Sequence, residues 1–279
     1  MTLLVIGGSG YLGGELCRQA VAAGTTVVAT YRRAPGDVPG VRWERLDITD
    51  GAAVDRLVGA VRPRTVVNAA YRSGDWASTA TGAAHVAAAS VGARLVHISS
   101  DAVHGGRSEP YGDDADPTPV QPYGAAKAAA ETAVRALAPA AAVLRCSLII
   151  GPDARSDQVR LCLEALAPDR DLRLFSDEIR TPVWVSDLAA AVREVAAGDY
   201  AGLLNVSGPE ALSRAALGTL VARAHGHDPS LLRTATVADS GLVRAARVVL
   251  DTSRARDLLK THLRPPSEVL SGQAHARST

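Results

Sequence analysis

The sequence predicts an α/β protein: a doubly wound parallel sheet with a smaller lobe towards the C-terminus. Three observations carry this reading. Short continuous apolar runs, beginning with Leu3-Leu4-Val5-Ile6, suit strands buried on both faces of a parallel sheet. Strand-like and helix-like stretches alternate up to residue 150. A glycine-rich turn directly follows the first apolar run. Residues 1–150 are therefore expected to form a dinucleotide-binding unit, and 151–279 mostly a substrate lobe.

Composition limits the function classes. The chain has 279 residues, 47% hydrophobic and 21% charged, ample for a packed core. A net charge of +1 gives no electrostatic case for nucleic acid or an anionic membrane. No apolar run reaches the roughly 18–20 residues of a membrane helix. The start, MTLLVIGGSG, lacks a basic leader region and reads as a first strand and turn. Cys17, Cys146 and Cys162 are odd in number and set among apolar residues, which suits reduced core thiols and a cytoplasmic protein. His225-Gly-His227 comes nearest to metal-ligand spacing, but it reads as a helix-ending turn, and no metal is expected.

After the first strand comes Gly7-Gly8-Ser9-Gly10-Tyr11-Leu12-Gly13, then a helical pattern with Leu12, Leu16, Ala20 and Val21 on one side. Glycine at 7, 10 and 13 permits the tight turn, a close approach of backbone to a pyrophosphate, and close strand–helix packing. Tyr11 and Leu12 open the helix whose positive end meets the phosphates. The second strand is Thr26-Val27-Val28-Ala29-Thr30-Tyr31, and Arg32-Arg33 stands at its end where a carboxylate would otherwise bind a ribose hydroxyl. Guanidinium forks suit a 2′-phosphate, so NADP(H) is expected over NAD(H). The alternative is a solvated arginine pair. The third strand, Val41-Arg42-Trp43-Glu44-Arg45, leads to Asp47, placed to accept from an adenine amino group, and to Ile48, placed to pack on the ring. Thr49 or Asp50 is positioned to cap the next helix, 51–61.

Thr65-Val66-Val67-Asn68-Ala69-Ala70 reads as the fourth strand, and its small terminal residues, with Asn68, leave room for a cofactor. A helix over 76–91 follows, then the fifth strand, Arg94-Leu95-Val96-His97-Ile98. Ser99-Ser100-Asp101 lies just past its carboxyl end, where ligands sit in open α/β sheets. The polar, proline-rich 109–122 reads as a loop feeding a helix over 121–137, and Ala142-Val143-Leu144-Arg145-Cys146 is the sixth strand. Later elements are a helix over 158–166, a short strand at 173–175, a helix capped by Ser186 or Asp187, and a strand at 203–206 that rejoins the main sheet. A helix capped by Ser213, a short helix at 253–259, a break at Pro265-Pro266 and a polar tail expected to be disordered complete the chain.

Within the helix over 121–137, Tyr123 and Lys127 share one face. The chain contains only two lysines, Lys127 and Lys260, so a lysine one turn beyond a tyrosine stands out. Ser100, Tyr123 and Lys127 all border the place where a nicotinamide would lie in this fold. The plain alternative for Ser100 is a strand-end capping serine.

On these residues the chain resembles an extended short-chain dehydrogenase/reductase of Rossmann type, and within that superfamily the dTDP-4-dehydrorhamnose reductase group. The resemblance covers nearly the whole length. It rests on GGSGYLG near the start, LDITD from Leu46, SSDAVHGG from Ser99, PYGAAKAAAE from Pro122, LRCSLIIG from Leu144, TPVWVSDLA from Thr181 and NVSGPEALSR from Asn205. It implies that Tyr123 is the general acid for a ketone that receives hydride, and that Ser100 orients the substrate oxygen. Lys127 would bond the nicotinamide ribose and hold the phenol in reach of neutral pH, which asks for about 4 kcal/mol of phenolate stabilisation. The implied substrate is a carbonyl compound, a nucleotide-linked deoxysugar or a related metabolite, contacted by Ser100, Asp101, His104, Leu148, Arg180 and Trp184. A homodimer is the expected assembly. A sugar-nucleotide epimerase and a non-catalytic cofactor-binding subunit are the competing readings. Departures from the group's pattern gather in the substrate pocket: Leu148 replaces an aromatic residue, Ala102 a tyrosine, His104 a phenylalanine, Thr79 an asparagine, and Asp157-Gln158 an Asn-Phe pair.

Overall fold

Seven strands, every neighbouring pair parallel, make the central sheet of the computed structural model, which describes residues 2–277. The chain runs β1 (Thr2–Ile6), α1 (Tyr11–Ala22), β2 (Thr26–Tyr31), β3 (Val41–Arg45), α2 (Gly51–Val61) and β4 (Thr65–Asn68). A π-helical turn at Ala77–Thr81 then leads into α3 (Gly82–Ala89), followed by β5 (Arg94–Ser100), α4 (Pro122–Leu137) and β6 (Ala142–Cys146). Beyond these come β7 (Ile149–Ile150), α5 (Asp157–Glu164), β8 (Leu174–Phe175), β9 (Ile179–Arg180), β10 (Val183–Trp184), α6 (Val185–Ala197) and β11 (Gly202–Asn205). Last are β12 (Leu212–Ser213), α7 (Arg214–Ala224), β13 (Thr234–Ala235), α8 (Val237–Ser240), α9 (Ser253–Leu258) and α10 (Pro266–Arg277).

The sheet order is β11-β6-β5-β4-β1-β2-β3. It reverses direction between β1 and β4, and a crevice opens at the carboxyl ends of those two strands. Both sheet faces are buried because both carry helices. Leu16, Cys17, Leu188 and Val192 of α1 and α6 cover one face. Val54, Val58, Val86, Ala130 and Val134 of α2, α3 and α4 cover the other. A separate apolar cluster holds the C-terminal lobe, with Val159, Cys162, Leu174, Trp184, Leu217, Val221 and Leu270.

Local signals set several boundaries. Asp50 accepts from Ala53 N at 3.0 Å to cap α2, and Ser213 accepts from Ala216 N at 3.0 Å to cap α7. Pro122 opens α4, where its missing N–H costs nothing. Other expectations are corrected. Neither Ser186 nor Asp187 caps α6, which begins at Val185; Asp187 instead bonds the Arg264 side chain and its backbone N–H. β4 stops at Asn68. The helix predicted over 76–91 starts as a π turn and becomes α-helical at Gly82. The polar tail forms α10, which buries Val269 and Leu270 against α7.

The buried charge at the centre sits beside β5 and β6. Arg145 is fully buried and donates Nε to Glu131 Oε1 at 3.0 Å and Nη2 to Glu131 Oε2 at 2.7 Å. Its Nη1 reaches the carbonyls of Asp113 and Ala115, and Ser99 Oγ donates to Glu131 Oε1 at 2.5 Å. Asp113 in turn accepts from Asn205 N at the end of β11, and Asn205 Nδ2 donates to Tyr111 O. The loop before α4 is thereby tied to two strand ends. Arg145→Leu leaves the Glu131 carboxylate buried without its partner and should cost about 3–5 kcal/mol in urea unfolding. The double variant Glu131→Leu/Arg145→Leu should recover at least half of that loss. No recovery would mean that the pair is not the source of the cost.

Candidate active site

Gly7 follows β1 directly, at φ +82°, and a Cβ there would lie 2.7 Å from Ala70 N. Only glycine fits that turn. α1 then starts at Tyr11 behind Gly10, and no side chain caps its first N–H groups. Those donors, with the positive end of the helix, face the crevice and suit a phosphate. Gly10, Tyr11, Leu12 and Gly13 line a cleft of about 690 Å³ that reaches Ser99, Ser100, Tyr123 and Lys127. A second groove of about 640 Å³ shares Gly10, Ala69 and Tyr71 with it and runs to Arg32, Arg33, Asp47 and Ile48. The two join at these shared residues, with the glycine turn between them.

At the groove's far end Arg32 pairs with Asp47 at 3.0 Å, while Thr49 donates to Asp47 from its N–H and its hydroxyl. These bonds, the backbone one first, hold the Asp47 carboxyl below its ordinary range. Ile48 is buried, and a Cβ on Gly82 would crowd it at 2.6 Å. Ala69 and Ala70 line the groove, but Asn68 does not. It lies beneath them, with Nδ2 3.3 Å from His97 Nδ1 and Oδ1 accepting from Ala70 N. Its role here is to shape the turn after β4. Thr79 is likewise buried and bonds Arg72 O.

Tyr123 and Lys127 stand in the first two turns of α4 and face the ends of β5 and β6. Lys127 is buried, donates from Nζ to Ile98 O at 2.8 Å, and lies 5.0 Å from the Tyr71 ring centre. Burial pushes its ammonium down to about 8, against the favourable pull of Cys146 and Glu131. The Tyr123 ring meets Tyr71 at 5.7 Å between centres, tilted by 50°. Burial, then Tyr71, push the Tyr123 phenol well above its ordinary 10, and a hydrogen bond with Ser100 opposes this. A phenol drawn towards neutrality by Lys127 is therefore not what the protein groups alone produce: burial dominates and raises it. Ser100 is also a capping serine, accepting from Ala102 N at 3.2 Å, so both of its readings hold together.

Asp101 is buried beside this group, accepting from Ser147 Oγ at 2.6 Å and from Ser100 Oγ at 3.1 Å. Burial raises its carboxyl despite Arg180, whose Nε is 3.7 Å away. His104 lines the cleft and stacks on Tyr111 at 3.9 Å; burial, Arg145 and Arg107 drive its imidazole down to about 3, so it is neutral near pH 7. Leu148 and Arg180 line the cleft as well. Trp184 does not. As the second residue of a two-residue strand, it turns inward onto the lobe core with Leu217 and Leu270.

Several cleft residues escaped sequence reasoning. Tyr71, half exposed over Lys127 and Tyr123, follows a strand end, and that position was the available signal. Glu178, Arg214 and Arg244 converge from three separate segments, and no spacing could have linked them. Glu131 sits one turn past Lys127 but reads as an ordinary helical glutamate.

With this geometry in view, comparison with known proteins decides the family. The model of the RmlD substrate binding domain matches residues 1–273. The chain belongs to the RmlD family. Among curated RmlD relatives, the spore coat polysaccharide biosynthesis protein SpsK of Bacillus subtilis is 32% identical over 203 residues, 68% of each chain. The dTDP-4-dehydrorhamnose reductase of Mycolicibacterium smegmatis is 31% identical over 246 residues, covering 83% of this chain and 71% of that protein. The crystal structure of dTDP-4-dehydrorhamnose reductase from Bacillus anthracis in complex with NADP superposes with a TM-score of 0.79 at 21% identity, covering 100% of this chain and 99% of that one.

The buried ammonium gives this RmlD family member a pH signature. Its folded pKa of about 8 lies below the ordinary 10.5, so the unfolded chain binds the proton more tightly between those values. Stability then gains from Lys127 as pH rises through 8 towards 10.5. Thermal midpoints of the native chain should therefore rise, relative to those of Lys127→Met, over that window. Parallel midpoint curves would contradict the depressed ammonium.

Proposed function

We propose that the protein reduces a carbonyl group on a nucleotide-linked sugar, with NADPH as the hydride donor. The single observation that carries this reading is the meeting of Ser100, Tyr123 and Lys127 at the end of the cleft that begins on the glycine turn. The bound nicotinamide would supply hydride to the carbonyl carbon. Tyr123 holds the proton for the carbonyl oxygen, and its raised pKa keeps it protonated until the transfer. Ser100, whose hydroxyl hydrogen otherwise goes to Asp101, would turn it to the same oxygen and fix its position. Lys127 is a buried cation at the same end of the cleft, and with cofactor and substrate bound it would favour the phenolate that Tyr123 becomes. Gly7, Gly10, Tyr11, Leu12 and Gly13 would hold the pyrophosphate, with Ala69, Ala70 and Ser99 along the trough. Asp101, His104, Leu148 and Arg180 would face the substrate.

Arg32 and Arg33 at the adenosine end support NADPH over NADH. Arg32 is tied to Asp47, and Arg33 has no such ion pair among those of the described residues, so the latter is the more available fork for a 2′-phosphate. The relatives named above include a reductase of this class, which favours reduction over epimerisation.

Two outcomes follow. Tyr123→Phe should lower turnover of nucleotide-linked keto-sugars by a hundredfold or more, as expected for loss of a general acid (about 10²–10⁴), while NADPH binding followed by fluorescence stays within a few-fold. Full activity in that variant would remove Tyr123 from the mechanism. Arg33→Ala should weaken NADPH about tenfold and leave NADH nearly unchanged; an equal effect on both cofactors would place Arg33 away from the 2′-phosphate.

A further inference from the structure

Ser100 has more claimants than its hydroxyl can serve. A serine hydroxyl has one hydrogen and two lone pairs. Ala102 N occupies one lone pair at 3.2 Å. A single hydrogen and a single lone pair remain. Asp101 Oδ1 stands 3.1 Å from the oxygen, and Tyr123 is hydrogen-bonded to it as well. A carbonyl under reduction, which only accepts, has to be met at the same place.

The proton on Asp101 decides how the hydroxyl is shared. An ionised carboxylate is acceptor-only and takes the Ser100 hydrogen. Tyr123 can then bond Ser100 only by donating into its last lone pair, and a carbonyl oxygen finds neither hydrogen free. A neutral Asp101 reverses the bond: it donates into that lone pair. The Ser100 hydrogen is released, and Tyr123, with no lone pair left to fill, keeps its own. Both hydrogens can then converge on one oxygen, as developing oxyanion charge requires. The neutral acid also removes a negative neighbour, since Asp101 is among the groups that oppose a Tyr123 phenolate.

The surroundings of Asp101 fit a proton at one particular oxygen. The residue is only 5% exposed. Donors gather at Oδ2, where Ser147 Oγ donates at 2.6 Å and Arg180 Nε lies at 3.7 Å. Oδ1 faces Ser100, so a proton on this acid belongs there. Arg180 of β9, and more weakly Arg214 of α7, favour the carboxylate, but Arg180 is shared with Glu178 at 3.4 Å. Tyr123 of α4 and Cys146 of β6 are neutral neighbours, both raised by burial. Lys127 donates to Ile98 O. Burial outweighs the two arginines and raises the Asp101 carboxyl.

We infer that Asp101 is a positioning residue that works as the neutral acid: by donating to Ser100 Oγ it turns the Ser100 hydrogen, and leaves the Tyr123 hydrogen, to the substrate carbonyl. This rests on the reductase reading for what receives those hydrogens, while the state of Asp101 is measured without turnover. Infrared difference spectra of the NADP⁺-saturated protein, native minus Asp101→Asn, should show a carboxylic-acid C=O band at neutral pH. Asp101→Ala supplies the reference should the asparagine variant not fold. A carboxylate band alone at neutral pH would overturn the inference. With NADPH and nucleotide-linked keto-sugars, native kcat/KM should fall as pH rises through the midpoint of that acid band, because the working form is the protonated one. Asparagine can keep its oxygen towards Ser147 and Arg180 and donate its N–H to Ser100. Asp101→Asn should therefore lack that fall and turn over about tenfold faster than Asp101→Ala, with the difference in kcat and not in KM. The same fall persisting in Asp101→Asn would assign it to another group and overturn the role. An acid band in a native chain that reduces none of these sugars would sink the reductase reading and leave the direction of the Asp101–Ser100 bond standing.

Discussion

The Arg145–Glu131 pair fixes the part of the molecule on which the rest depends. Burying two opposite charges gains little by itself, because desolvation offsets their attraction. What it supplies here is position. Both oxygens of Glu131 and all three guanidinium nitrogens of Arg145 are engaged, so α4 is held against β5 and β6 in one register. Lys127 lies one turn before Glu131 and Tyr123 one turn before that, so the same bonds set where the ammonium and the phenol stand. A helix held only by small apolar contacts, as along Ala126 and Ala130, could slide by a fraction of a turn at small cost. The charged clamp removes that freedom.

The fold was legible in the sequence because its signals are local. The apolar runs, the glycine turn at 7–13 and the strand–helix alternation each act within a few residues. The shared face of Tyr123 and Lys127 on α4 was legible for the same reason, since four residues make about one turn. The misreadings concern places where tertiary contacts outrank local pattern. Trp184 stands in a two-residue strand, too short to show which side faces in, and its ring follows the lobe core. Asn68 looked outward as a strand-end polar residue, yet His97 on the neighbouring strand draws it in. The tail looked unstructured by composition, but Val269 and Leu270 are enough to seat it on α7. The arginines around Glu178 were invisible as a set, because only folding brings residues 178, 180, 214 and 244 together.

The cleft divides its work between two unlike walls. The sheet side is close-packed, with glycine and alanine along its floor and a buried tyrosine–lysine pair at its end. Burial keeps the phenol protonated and the imidazole of His104 neutral, so the ionisable groups left on this wall are Lys127 and Asp101. The lobe side is charged and oriented by backbone carbonyls.

The seventh strand has a consequence for how the chain is made. β11 pairs with β6 only after the 55 residues between Cys146 and Gly202 have passed through the lobe. Until then β6 is an open edge, and Asp113 lacks the Asn205 N–H that anchors the loop beside the cleft. Closing so long a loop is a slow, non-local step. A ribosome-bound chain that has reached only Cys146 therefore carries Ser100, Tyr123 and Lys127 and an exposed strand edge ready to pair with another copy. Chaperone demand during synthesis should be concentrated in that interval, and a stop codon within the lobe yields not a smaller enzyme but a sticky sheet.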